Sequence, residues 1–125
     1  ELILIKEYAV GSERYELGFP KGIVDADESP EVAANRELQE EIGFGAKKLH
    51  FLRSLYSSPS HMYGLMHVFI AQDLYPSQLE GDEPEPLEIV RLPLSEIDRL
   101  LADPNFAESR YLSALFMLRE FLCSH

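Results

Sequence analysis

The succession of apolar patterns predicts an α+β or layered α/β domain, and three observations carry that prediction. Strand-like apolar runs open the chain, a helix with its own start and stop signals follows, and further strand-like runs then precede two helical segments. The 125 residues are enough for one domain around one hydrophobic core. Apolar residues make up 46% without any run long enough to span a bilayer, which places the chain among soluble globular domains.

Each element has a local reason. "LILIKEYAV" reads as a buried strand that ends near Gly11, with Ser12 and Glu13 in a turn. "RYELGFPKGIV" is punctuated by Gly and Pro and reads as a brief strand running into a loop. Ser29 then offers a side-chain cap, Pro30 suits the first helical position and Glu31 complements the helix dipole. The helix is expected to run through Ile42 and stop at Gly43, where a left-handed residue can terminate it. "LHFLRSLYS" and "GLMHVFIAQDLY" are two further strands around the loop "SSPSHMY". The Pro- and acid-rich "PSQLEGDEPEPLE" reads as an exposed loop, and "IVRLPL" as a last strand. A helix capped by Ser95 and ending before Pro104 follows. The terminal segment "AESRYLSALFMLREFL" completes the chain as an amphipathic helix, its apolar side formed by Leu112, Leu115, Phe116, Leu118 and Leu122.

Charge and termini narrow the function classes. A formal net charge of −11 argues against nucleic-acid binding, because no basic stripe is present to neutralise a phosphate backbone. No membrane association is expected either. An anionic small molecule stays compatible, since bound divalent cations invert the local field. Cys123 is the single cysteine and fits a reducing, cytoplasmic setting. The chain opens inside an apolar run without an initiator Met, so a further N-terminal segment is expected before residue 1.

The stretch that carries chemistry is "GIVDADESPEVAANRELQEEIGF". With Arg36 at zero and roughly 100° per residue, Glu40 falls near 40°, Glu37 near 100° and Glu41 near 140°. Ala34, Leu38 and Ile42 form a separate apolar stripe. Carboxylates on adjoining turns repel one another by a few tenths of a kcal/mol per pair, roughly, and Arg36 offsets part of this through Glu40. Such a cluster is either a solvated acidic face or a set of oxygen ligands for a hard cation such as Mg²⁺ or Mn²⁺.

The flanking positions favour the second reading. The stretch fits G-x5-E-x7-R-E-U-x-E-E-x-G-U, with U an aliphatic or bulky apolar residue. Gly22, Glu28, Arg36, Glu37, Leu38, Glu40, Glu41, Gly43 and Phe44 fill its fixed positions. This pattern is the Nudix box, and the sequence resembles the Nudix hydrolase family. The resemblance implies an α+β (α/β/α layered) fold with a mixed β-sheet sandwiched between helices, spanning residues 1–125 as one domain. It also implies divalent-metal-dependent hydrolysis of a nucleoside diphosphate linked to another moiety. Carried over by position, Glu37, Glu40 and Glu41 would be metal ligands, joined by the Lys21 backbone carbonyl, with Glu40 also a catalytic candidate. Glu28 and Arg36 would brace the loop and helix as an ion pair, while Gly22 and Gly43 serve a tight turn and a C-cap.

Residues outside the box point to the ADP-ribose pyrophosphatase-like branch. "YELGFPKG" resembles its lead-in, with Tyr15 and Glu16 in the conspicuous places, and Pro59 lies near where such members carry a proline. "LILIKEYAVG", "ANRELQEEIGFGA", "AQDLYPSQLEGDEPEPL" and "SALFMLRE" extend the likeness to bacterial members of this branch over nearly the whole chain. Those relatives act on ADP-ribose, NADH and short diadenosine polyphosphates, releasing AMP. They carry an N-terminal strand unit involved in dimerisation, so the complete chain is expected to be a homodimer. A general base in this branch lies on a later acidic loop, which here offers Glu85 and Glu83. Tyr15 and Tyr8 are the candidate stacking partners for adenine, and both also suit a core. Two other classes compete: a non-catalytic Nudix module that senses a nucleotide, and an interaction domain with an acidic face. His61, in the loop, carries only a weak substrate signal, and His50, His67 and His125 carry none.

Overall fold

The computed structural model describes residues 1–56, 65–81 and 87–124. The first strand, β1 (Leu2–Ala9), turns through residues 10–13 into β2 (Arg14–Gly18), and the two pair antiparallel with Tyr8 opposite Tyr15 and Glu7 opposite Glu16. Strand alternation therefore puts the two tyrosines on one face and the two glutamates on the other. A stretch without regular structure, residues 19–29, leads to α1 (Pro30–Glu41). Two long strands, β3 (Phe44–Tyr56) and β4 (Leu65–Pro76), pair antiparallel with an irregularity between Phe51 and Arg53. The last strand, β5 (Glu88–Leu92), pairs antiparallel with β1, completing the order β2-β1-β5 beside the separate pair β3-β4. A 3₁₀ turn (Leu94–Glu96), a single helical turn α2 (Asp98–Leu101) and α3 (Ser109–Ser124) complete the chain.

The α1 boundaries follow from local chemistry. Ser29 Oγ accepts from the Val32 N–H at 3.2 Å, Pro30 opens the helix, and the Ile42 N–H closes it on the Leu38 carbonyl at 2.9 Å. Gly43 then takes φ +73°, a region that costs a residue with a Cβ. Two expectations need correction. Ser95 does not cap a helix: it lies inside the 3₁₀ turn, and neither that turn nor α2 has a side-chain cap. Here the backbone closes on i→i−3 bonds, Glu96 on Pro93, Ile97 on Leu94 and Leu100 on Ile97, the pattern of tight 3₁₀ turns. On α3, Leu115 is fully buried and Leu112 and Leu118 pack on the core, whereas Phe116 is 53% exposed and Leu122 39% exposed.

The core joins sheet to helices. Leu4 of β1 packs with Ile97, Leu100, Phe106, Tyr111 and Leu115, and Leu2, Leu17, Val90 and Leu92 flank them. Burial of a leucine such as Leu115 stabilises by about 1.5–3 kcal/mol. Thus α2 and α3 cover β2-β1-β5, while α1 lies against β3 and β4. Residues 77–79 fasten to the C-terminal end of α1. The Leu79 N–H donates to the Gln39 carbonyl at 3.0 Å, Ser77 Oγ donates to Gln39 Oε1 at 2.6 Å, and the Gln78 amide reaches the Gln39 and Glu40 carbonyls. These bonds satisfy acceptors that a helix end leaves open.

Candidate active site

The candidate site grows from α1 and the irregular stretch before it. Arg36 is its organising cation. Its Nε donates to Glu28 Oε2 at 2.8 Å and its Nη2 to Glu28 Oε1 at 3.0 Å, a two-pronged carboxylate contact. The Nη2 also reaches the Ile23 carbonyl at 2.9 Å, while Nη1 donates to Glu37 Oε1 at 2.9 Å and Glu40 Oε2 at 3.2 Å. Glu28 in turn accepts from the Asp25 N–H at 2.9 Å, closing the loop onto the helix. The Arg36 guanidinium, then the Asp25 amide, hold the Glu28 carboxyl below its ordinary range. Glu28 first, and then Glu37, hold Arg36 more firmly protonated than a free guanidinium.

Lys21 and Gly22 position the remaining carboxylates. The Lys21 N–H donates to Glu41 Oε2 at 2.9 Å. A Cβ on Gly22 would lie 1.8 Å from Glu37 Cδ, so the carboxylate lies directly over this glycine and a larger residue there would displace it. Lys21, Gly22, Glu37 and Glu41 all line a cavity of about 930 Å³ that also meets apolar residues of β3 and β4. That volume suits a small-molecule ligand.

Among the described residues no three acidic, His or Cys side chains close around a common point tightly enough to enclose an ion. Glu37 and Glu40 bond Arg36 instead. The donor chemistry nevertheless fits Mg²⁺ or Mn²⁺: three carboxylates and the Lys21 carbonyl are all hard oxygen donors. The close seat of Glu37 over Gly22 leaves that carboxylate beside the loop carrying this carbonyl.

The other sequence candidates are distributed more widely. Tyr8 and Tyr15 are half-exposed and meet edge to face, 5.3 Å between ring centroids, so they lie outside the core cluster. Tyr8 and Glu16 line a smaller hollow of about 210 Å³ with Glu7, Gly18, Lys21 and Tyr111, to which Tyr15 does not contribute. Glu16 bonds Arg14 Nε at 2.7 Å, and Arg14, followed by Ser12, lowers its pKa. His67 bonds Ser54 Oγ at 2.8 Å. Pro59, His61, Glu83, Glu85 and His125 lie outside the described residues. Tyr111 and Glu7 carried no sequence signal, yet both touch Lys21: the Nζ lies 3.4 Å from Glu7 Oε2 and 5.4 Å from the Tyr111 ring centroid. The small residue Gly18, which lets the Tyr111 ring approach the chain, was the only hint available.

A braced loop and helix presenting glutamates beside a glycine define a Nudix domain. The NUDIX domain model matches residues 1–116, and the chain belongs to that family. It is 60% identical over 121 residues to the ADP compounds hydrolase NudE of Escherichia coli strain K12, covering 97% of this chain and 65% of that protein. It is 32% identical over 126 residues to the ADP-ribose pyrophosphatase of Bacillus subtilis strain 168, covering 98% of this chain and 68% of the relative. A crystal structure of an ADP compounds hydrolase superposes with a TM-score of 0.96 at 58% identity, over 98% of this chain and 66% of that one. The Nudix fold and the α+β class therefore stand. The chain spans about two thirds of the length of these relatives. Among the described residues no helix is long and apolar enough to cross a membrane.

Proposed function

We propose that this domain belongs to a divalent-metal-dependent pyrophosphatase that hydrolyses ADP-linked compounds, ADP-ribose, NADH and short diadenosine polyphosphates, to AMP and a second phosphorylated moiety. One observation carries the reading: Arg36 ties Glu28, Glu37 and Glu40 together while the Lys21 amide engages Glu41 beside Gly22. Likeness to the ADP compounds hydrolase and to the ADP-ribose pyrophosphatase supports the substrate class.

Glu37, Glu40, Glu41 and the Lys21 carbonyl would hold Mg²⁺ or Mn²⁺, which when bound neutralises pyrophosphate oxygens and lowers the pKa of water. Arg36 presets the orientation of Glu37 and Glu40, and Glu28 fixes Arg36. Glu85, with Glu83 as the alternative, would accept the proton of the attacking water. The exposed Tyr8–Tyr15 pair offers an aromatic surface for adenine, Glu16 offers an acceptor beside Tyr8, and Pro59 is a further candidate for substrate contact. In this reading the complete protein works in the cytoplasm as a homodimer, without nucleic-acid or membrane partners.

The test is AMP release from ADP-ribose by the complete protein. Activity is expected with Mg²⁺, to vanish with EDTA, and to fall at least about a hundredfold in Glu41→Gln. Turnover within twofold of the parent in that variant would remove Glu41 from the metal set.

A further inference from the structure

The Arg36 and Lys21 contacts hold different parts of the loop before α1. The distal part, Ile23 to Glu28, is tied to Arg36 and therefore to the helix itself. The proximal part is held by Lys21, whose main chain and side chain point to different partners. Its N–H donates to Glu41 Oε2, and its ammonium lies between Glu7 of β1 and the ring of Tyr111 on α3.

Tyr111 is well placed to act as an anchor. It is buried in the core, edge to face with Phe19 at 5.9 Å and stacked with Phe106 at 6.3 Å. Its ring also fills the space where a Cβ on Gly18 would sit, 2.4 Å from Cε2. A second tie fixes the same strand end: the Leu17 N–H donates to the Asn105 carbonyl at 2.8 Å, just before α3. The ring is rigid, and a lysine held against an aromatic face by a carboxylate has few rotamers left. Burial opposes the Lys21 charge, but Tyr111 and Glu7 outweigh it and leave the ammonium more firmly protonated than usual.

We propose that Tyr111 is a positioning residue for the Glu41 carboxylate, acting through Lys21. The ring fixes the lysine side chain, the side chain fixes the backbone of residue 21, and the amide of that residue aims Glu41. The C-terminal helix thereby contributes to the geometry of a carboxylate on α1. The inference rests on the reading of Glu41 as a metal ligand.

The experiment titrates Mn²⁺ into the complete protein without substrate, following free Mn²⁺ by electron paramagnetic resonance. Lys21→Met and Tyr111→Leu are each expected to weaken Mn²⁺ binding about tenfold, the range for residues that orient a metal ligand. The double variant is expected to be no weaker than the worse single one, because both substitutions break one chain of contacts. A purely structural role for Tyr111 lowers the melting temperature but leaves Mn²⁺ affinity of the folded protein within twofold, and that result overturns the proposal. If Tyr111→Leu does not fold, Lys21→Met decides: weakened binding supports the proposal and unchanged binding overturns it. Glu41→Gln separates the two levels. Lost Mn²⁺ binding in that variant with unchanged binding in Lys21→Met defeats only the positioning role, whereas retained binding in Glu41→Gln defeats the ligand reading and the positioning role with it.

Discussion

Arg36 and Glu28 meet through two parallel hydrogen bonds, of 2.8 and 3.0 Å, across the gap between α1 and the loop that precedes it. A lysine keeps the charge but offers no planar fork of donors, so it cannot hold Glu28 through two parallel bonds and still reach Glu37, Glu40 and the Ile23 carbonyl. Arg36→Lys is expected to weaken Mn²⁺ binding and ADP-ribose turnover about ten- to a hundredfold while the protein stays folded. Paired Mn²⁺ titration and circular dichroism check both halves of that expectation.

The same pair predicts an acid limb. Arg36 holds the Glu28 pKa below its unfolded value of about 4.3. Ionised Glu28 therefore stabilises the folded state above that unfolded value, and the contribution is lost as pH falls through the lower folded one. Melting temperatures of the parent and Glu28→Gln should differ at neutral pH and converge in acid. A difference that grows on acidification would contradict the assignment.

Gly22→Ala tests the seat of Glu37. The new methyl would meet Glu37 Cδ at 1.8 Å, so the carboxylate or the loop must move by more than an ångström. Displacements of that size cost about a hundredfold in rate, and this substitution is expected to lower turnover accordingly with little change in secondary structure. Steady-state kinetics with circular dichroism would show it.

Leu115→Ala separates stability from chemistry. Leu115 is fully buried in the core and does not line the candidate site cavity, so its truncation is expected to cost about 2–5 kcal/mol in urea unfolding. Turnover per folded molecule should stay within twofold of the parent.

How much of this the sequence revealed depends on how local the cause was. The start and stop of α1 rest on Ser29, Pro30 and Gly43, neighbours in the chain, and they were readable to within a residue. The start of β3 at Phe44 was not, because "GAKK" has no strand alternation of its own and is held there by pairing with residues 72–76 of β4. Helical spacing marked the apolar side of α3, but only the packing of β1, β2 and β5 decides that Leu115 is covered and Phe116 is not. At the candidate site, the box spacing gave away the glutamates and the Glu28–Arg36 pair. The Ile23 carbonyl on Arg36 and the Tyr111 ring on Lys21 arise from chain reversals that no periodicity encodes.

The fastening of residues 77–79 onto Gln39 and Glu40 has a mechanical consequence. The segment 77–79 is thereby mounted on the helix that carries Glu37, Glu40 and Glu41, rather than left as a free continuation of β4. A rocking of α1 carries that segment with it.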